Sequence, residues 1–271
     1  MQLIKSENNP LIKEVKALKT KKYREQKKLY FIEGLKFVEE ALLSGADITK
    51  IFISETLEIN GKISGIKLIT SKEEPIEYDI YVVPDNLFKG MSDTGTPQGI
   101  LAVVKMRNYT MDDIIALKNN KDNLFVVLDS IQDPGNMGTI IRTADAADFT
   151  AIIVSKGCVD FYNPKVLRST MGSIFHIPVV FCDNLADVLK YFRSQGIKTY
   201  AAHLNGTVSY FNVNMSNNAA IIIGNEANGI SNETASLADI FIKIPMPGSA
   251  ESLNASVAAG VLIYESVRQR S

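Results

Sequence analysis

The sequence predicts an α/β protein in two parts, a small mixed α/β unit followed by a parallel sheet with helices on both faces. Three observations carry this expectation. The chain has 271 residues, more than one domain usually holds, so two bodies of roughly 100 to 150 residues are expected. Hydrophobic residues make up 46% and charged residues 22%, a globular balance with no room for a large disordered part. The apolar pattern also changes along the chain: short mixed elements precede residue 107, and fully apolar strands alternate with helices after residue 122.

Asn9 and Pro10 mark a first helix, where Leu11, Ile12, Val15 and Leu18 share one face of residues 11–20. A short strand around Tyr30 to Ile32 leads through Gly34 into a second amphipathic helix, with Phe37, Val38, Ala41 and Leu42 recurring at three and four. ITKIFIS and DIYVVP read as strands, the polar run SDTGTPQG interrupts, and ILAVV adds a last strand before the unit ends near Arg107. A helix over residues 108–122 with polar turns at its flanks marks the boundary. The expected division is therefore a domain at 1–107, a linker at 108–121 and a second domain at 122–271.

In the second domain LFVVLD, AIIV, VVF, KTYAA, AIIIG and DIFIKI read as strands separated by helices, with a final helix at the end. Strands apolar on both faces must be covered on both faces, which is why a parallel sheet follows.

The formal net charge of −1 gives no overall sign of a polyanionic partner, but its distribution does. Between Lys13 and Lys28 eight Lys or Arg stand against Glu14 and Glu25. Such an excess seeks phosphate. Cys158 and Cys182 are too few and too far apart for a disulfide framework or a zinc site, no cluster has metal-ligand spacing, and a reducing compartment is expected. The N-terminal residues lack the apolar stretch of a signal peptide and no run approaches the roughly 20 apolar residues that span a bilayer. The expectation is a cytoplasmic protein without a membrane segment.

Ligands of such sheets bind at the carboxyl ends of the strands. Three loops there stand out. IQDPGNMGTIIRT (131–143) carries Gly135 and Gly138 around Asn136, but not in the GxGxxG spacing of a dinucleotide site, and the next strand ends in Ser155 where an acidic residue is needed for a ribose. A nicotinamide-dependent oxidoreductase is thereby disfavoured. IIIGNEANGIS (221–231) places Gly224 at a strand end, and IPMPGSAESLNASVAAG (244–260) runs into the last helix through Ser252, Asn254 and Ser256.

Taken in this order, N-M-G-T-I-I-R-T, I-G-N-E-A-N-G-I and I-P-M-P-G-S-A-E-S-L-N-A-S-V-A resemble the three signature motifs of the SpoU (TrmH) family of RNA 2'-O-ribose methyltransferases in the SPOUT superfamily. SENNPLIKEVKAL, FIEG and SDTGTPQGILAVV resemble the L30e-like substrate-binding domain that precedes the catalytic domain in rRNA-modifying members. The resemblance implies a deep trefoil knot in the second domain, a bent S-adenosylmethionine held in that knot, and a homodimer. It implies RNA as substrate, 23S rRNA rather than tRNA. A tRNA 2'-O-methyltransferase and a non-catalytic RNA-binding member of the same fold are the alternatives.

Residue by residue, the resemblance places the donor on backbone groups of Gly224, Ile244 and Leu253, with His203, Leu204, Gly206, Met246 and Gly248 around the same pocket. Arg142 matches the arginine beside the target hydroxyl. Arginine side chains stay charged at neutral pH, so the role expected here is to hold the target phosphate or ribose, with assistance to proton removal left open. Asn136 and Glu226 match positions that organise the catalytic loops, and Ser252 and Asn254 match positions beside the donor and the ribose. Phosphate contacts are expected from Lys13, Lys16, Lys21, Lys22, Arg24, Lys27 and Lys28. Tyr23 and Tyr30 are candidates to stack on a base, while Phe31 is assigned to the core.

Overall fold

The computed structural model describes residues 1–59, 78–117, 123–204 and 206–271. By contact these fall into two units, Met1–Arg107 with Tyr162–Phe175, and Asn108–Phe161 with His176–Ser271.

The first unit is a mixed five-stranded sheet of β1 (Gln2–Leu3), β2 (Leu29–Glu33), β3 (Ile48–Ser54), β4 (Asp79–Val83) and β5 (Ile100–Lys105), in the order β1-β4-β3-β5-β2. With it go α1 (Pro10–Ala17), α2 (Lys21–Lys27), α3 (Leu35–Leu43), α4 (Glu55–Ile59) and α5 (Asp85–Met91). Side chains alternate across a strand. Tyr30, Ile32, Ile51, Ile53 and Ala102 therefore enter one core with α3, while Phe31, Phe52, Leu101 and Val103 enter another with α1 and α5. α1 starts where Asn9 Oδ1 accepts the Leu11 N–H at 2.9 Å and Pro10 occupies the first turn.

The second unit carries β6 (Leu124–Asp129), β7 (Ala151–Ser155), β8 (Val179–Cys182), β9 (Lys198–Ala202), β10 (Val208–Ser209), β11 (Ala219–Gly224) and β12 (Ile240–Lys243). All pairings are parallel, in the order β10-β12-β9-β11-β6-β7-β8. The helices of this part of the sequence are α6 (Met111–Ala116), α7 (Pro134–Ala146), α8 (Pro164–Thr170), α9 (Leu185–Ser194), α10 (Asn232–Leu237) and α11 (Ala255–Arg270). Phe125, Val127, Ile153 and Ile222 pack with Ile114 and Ile115 of α6 and Leu189 and Phe192 of α9. The residues of opposite parity, Val126, Leu128, Ile152, Val154, Ile221 and Ile223, are buried as well. Each such side chain contributes roughly 1.5 to 3 kcal/mol on burial, so a sheet covered on both faces is the stable solution for these sequences.

One helix departs from the order of the sequence. α8 lies in the stretch Tyr162–Phe175 that packs with the first unit. Leu167 and Phe175 join the core of α3. The rings of Tyr162 and Tyr30 stand 4.5 Å apart, and Arg168 pairs with Asp93 at 2.9 Å.

Several elements differ from the sequence expectation. The helix expected over 11–20 ends at Ala17, and α2 begins at Lys21 after a turn, so the basic run occupies two helices. β1 and β10 have two residues each, and α4 and α5 only five and seven, too short to show a period. Of the helix expected over 108–122, α6 forms between Thr110 and Leu117 behind a capping box of Thr110 and Asp113. The remainder of that helix and of the 108–121 linker, residues 118–122, lies outside the described residues. No helix among the described residues is long and apolar enough to cross a membrane.

Candidate active site

β6 and β11 are neighbours in the second unit, with Asp129 in register with Gly224, so the loops that follow them leave the sheet side by side. This is the carboxyl edge of a parallel sheet, where helix N-termini and loops gather. A cleft of about 790 Å³ opens here, bounded by the ends of β9, β11 and β12 and by the start of α11. That volume suits a small-molecule ligand.

Of the residues expected around a donor, His203, Leu204, Gly224, Ile244, Met246 and Leu253 line this cleft, and so do Glu226 and Ser252. Gly206 and Gly248 do not line it. Gly206 instead allows two backbones to meet: a Cβ there would stand 2.6 Å from the Ile242 carbonyl carbon. The His203 N–H donates to Ile242 O and the Gly206 N–H to His203 O, both at 2.9 Å, which fixes the loop after β9 against β12. His203 packs its ring edge-on against Phe241. Gly248 is exposed with open space around it. The cleft also includes Asn225, Lys243 and Glu251. Asn225 and Glu251 lie inside the second and third motifs without having been singled out there, and Lys243 stands just before the third.

Gly224 is required by sterics alone. A Cβ at this position would lie 2.2 Å from the Gly229 carbonyl carbon, inside the turn that Asn225 and Gly229 close by two backbone hydrogen bonds of 2.9 Å. Gly229 itself has φ +69°, in the left-handed region that glycine reaches freely.

Glu226 ties this turn to the loop before α7. Its carboxylate accepts the backbone N–H groups of Gln132 and Asp133 at 3.2 Å and the Asn136 Nδ2 at 3.0 Å. Burial pushes the Glu226 carboxyl up, but the Asn136 amide and these backbone donors outweigh it and hold the group below its ordinary range. Glu226 is thus an ionised clamp whose lone pairs are engaged. Asn136 is buried inside α7, which starts where Asp133 caps the Asn136 N–H at 2.8 Å.

Arg142 lies six residues further along α7, about 240° around the helix axis at 3.6 residues per turn. It is exposed and makes no hydrogen bond or ion pair among the described residues, and it does not line the cleft. A cation that is held by nothing remains available to a ligand. Asn254 is the N-cap of α11: its Oδ1 accepts the Ser256 N–H at 2.9 Å and the Ser256 hydroxyl at 2.7 Å. Asn254 borders the cleft through its neighbours Leu253 and Ala255 and does not line it.

In the first unit Lys13, Lys21, Lys22, Lys27 and Lys28 are exposed. Lys16 pairs with Glu7. Arg24 corrects the expectation: it is 2% exposed, and its guanidinium donates to the carbonyls of Leu18 at 2.7 Å and Lys19 at 2.9 Å. It satisfies the orphan carbonyls past the end of α1 and is withdrawn from any phosphate. Tyr30 is likewise lost as a stacking platform, being 4% exposed; Tyr23, half-buried, lies under the Lys27 ammonium at 5.9 Å.

Residues 123–264 match the family described as the SpoU rRNA methylase family, and residues 9–102 match the MRM3-like substrate binding domain. The 23S rRNA (guanosine(2553)-2'-O)-methyltransferase RlmP of Bacillus subtilis is 35% identical over 265 residues, 97% of this chain and 98% of that protein. The AdoMet-bound rRNA methyltransferase from Sinorhizobium meliloti superposes with a TM-score of 0.85 at 29% identity, over 98% of this chain and 97% of that one. The SpoU methyltransferase AviRb from Streptomyces viridochromogenes, in complex with the cofactor AdoMet, superposes at 0.86 and 28% identity, over 97% and 98%. With its motif loops gathered at one sheet edge and both halves matched, the chain belongs to the SpoU rRNA methylase family of RNA 2'-O-methyltransferases.

Proposed function

We propose that this methyltransferase transfers a methyl group from S-adenosylmethionine to the 2'-oxygen of a ribose in 23S rRNA. The observation that carries the reading is the cleft at the β9, β11 and β12 ends, which gathers residues of the second and third motifs and whose apolar walls include Leu204, Ile244, Met246 and Leu253. Such a slot fits an adenosyl group: apolar walls cover a flat base while backbone N–H and C=O groups read its edge. S-adenosylmethionine supplies the methyl group. Gly224, Ile244 and Leu253 would hold it through their backbones, and Glu226 with Asn136 keeps the two motif loops in place.

The chain's own contribution is positioning. Arg142, without a hydrogen bond or ion pair among the described residues, binds a phosphate or ribose oxygen of the RNA. An arginine has five N–H donors and no acceptor, so its chemistry here is to stabilise negative charge on the 2'-oxygen as the hydroxyl proton passes to solvent water and the donor departs as S-adenosylhomocysteine. Ser252 orients the ribose from the cleft wall, and Asn254, whose Oδ1 is committed to the helix cap, offers its Nδ2 to the same task. Lys13, Lys21, Lys22, Lys27 and Lys28 of the first unit follow RNA phosphates, and Lys16 joins them by exchanging Glu7 for phosphate. A ribosomal substrate places the enzyme in the cytoplasm.

Two further features of the reading concern architecture. The family resemblance implies a knot in which the C-terminal segment after β12 is threaded through a loop, and Gly206 packs the residues after β9 tightly against β12. α11 buries Ala259, Leu262 and Ile263 yet leaves Val257 and Tyr264 each 51% exposed, so it is apolar on a second side. We read that side as the contact of a homodimer. Sedimentation equilibrium should return twice the mass of one chain; a single-chain mass removes the dimer.

The function is tested with purified protein, tritiated S-adenosylmethionine and 23S rRNA, with tRNA as the control. Methyl incorporation into 23S rRNA at a ribose is expected, and label in tRNA alone would overturn the substrate. Because Arg142 stands free on α7, Arg142→Ala should lower kcat at least about a thousandfold while donor Kd changes less than about threefold. Parental turnover in that variant removes Arg142 from the chemistry.

A further inference from the structure

We propose that Asn225 is a positioning residue for methyl transfer, which together with the buried carboxylate of Asp129 anchors the cleft-lining turn 225–229 to the end of β6 and the loop that leads into α7. This rests on the reading of the cleft as the donor site.

Asn225 lines the cleft and engages both ends of its amide. Oδ1 accepts the N–H groups of Ala227 and Asn228, each at 3.0 Å, which shapes the turn itself. Nδ2 donates to the Ser130 carbonyl at 2.8 Å, reaching across to the end of the neighbouring strand. Only this orientation of the amide works, because the acceptor faces two donors and the donor faces a carbonyl.

Ser130 is held so that its carbonyl meets this amide. Its φ is +64°, a left-handed conformation that a residue with a side chain keeps only when its surroundings enforce it. Three groups do so. The Ser130 N–H donates to Ser155 Oγ at 3.0 Å, and the Ser130 hydroxyl donates to Asp129 Oδ1 at 3.2 Å. Gly157 leaves room for the hydroxyl, since a Cβ there would lie 2.3 Å from Ser130 Oγ.

Asp129 secures the far side of the turn. It is 5% exposed, and its Oδ2 accepts the Ser231 N–H at 2.9 Å. No cation pairs with it among the described residues. A buried carboxylate without a counter-charge is costly, so its place at this strand end marks a geometric requirement. The turn is therefore tied down at its start by Asn225, at its middle by Glu226 and beyond its end by Ser231. Donor-binding backbone that is held at three points is preorganised, and loosening any one of them should appear first in donor affinity.

Asn225→Asp isolates the link. The introduced carboxyl keeps an acceptor for Ala227 and Asn228 but turns a second acceptor toward the Ser130 carbonyl. In the full-length protein, the Kd for S-adenosylmethionine at about pH 8 is expected to rise about tenfold, the loss of one hydrogen bond, with kcat falling less than about threefold. The Ser130 carbonyl and the Glu226 carboxylate beside it favour the protonated form of the introduced carboxyl. On acidification toward about pH 5 it therefore regains an O–H that can donate to Ser130, and affinity should recover relative to the parental protein. A purely structural role would lower Tm and show no such recovery. Asp129→Asn, which removes the charged acceptor of the Ser231 N–H, should raise Kd in the same direction without the pH recovery.

Parental Kd in both variants overturns the proposal, and so does a loss of affinity that follows Tm and ignores pH. Should the parental protein itself fail to bind S-adenosylmethionine, the reading of the cleft falls first and this inference with it, an outcome visible before any variant is made.

Discussion

At the carboxyl edge of the second unit two glycines are fixed by closely packed backbone, whereas along residues 13–28 of the first unit long cationic side chains stand in solvent. Gly224 and Gly206 matter because backbone occupies the space a Cβ needs. Lys13, Lys21, Lys22, Lys27 and Lys28 are exposed and keep their charge in solvent. The difference suits the ligands proposed for them: a small donor is recognised by shape at close range, and a polyanion by summed charge at a distance set by ionic strength. A site of the first kind fails at once when one atom is added. A surface of the second kind weakens by increments.

Gly224→Ala should break the first kind most severely. With the new Cβ 2.2 Å from Gly229, the 225–229 turn must shift, and donor affinity should fall more than about a hundredfold by calorimetry, consistent with the roughly 3 kcal/mol that backbone displacement and lost contacts remove. Parental donor affinity in that variant would falsify the assignment of this turn to the donor site. The second kind is sharpened by replacing Lys21, Lys22 and Lys27 together with Glu. RNA affinity at low salt should drop by about tenfold or more, and the dependence of log affinity on log salt should flatten by roughly three phosphate contacts. An unchanged salt slope in a filter-binding titration takes these lysines out of the RNA contact. Donor affinity should not respond to the triple replacement, which keeps the two effects separable.

The same contrast governs what could be read in advance. Strands such as LFVVLD and AIIIG are apolar throughout, and no environment but a sheet covered on both faces accepts them, so the parallel architecture was legible. The motif residues were legible as a set because they recur in a known order. Their separate duties were not. Asn136 and Glu226 were assigned to loop organisation, and the structure gives them one shared hydrogen bond of 3.0 Å. Arg24 looked like any other cation of the run until its guanidinium was found on the carbonyls past α1, because sequence reports charge but not direction. Gly248 carried the same motif credentials as Gly224 and does not line the cleft. Asn225 was passed over beside Glu226, since nothing local reveals that its Nδ2 meets a carbonyl 95 positions away.

Composition and apolar period by themselves determined the two-part α/β plan, because each is a local property that any fold of this chain must satisfy, and the order of the motifs carried the resemblance to the family and its methyl donor. Only the tertiary structure decided which glycines are sterically obligatory, that Tyr162–Phe175 packs into the core of the first unit, and that Asp129, Ser130 and Asn225 bind one loop to the next. Those facts depend on contacts between residues far apart in the chain, and such contacts exist only after the backbone has closed on itself.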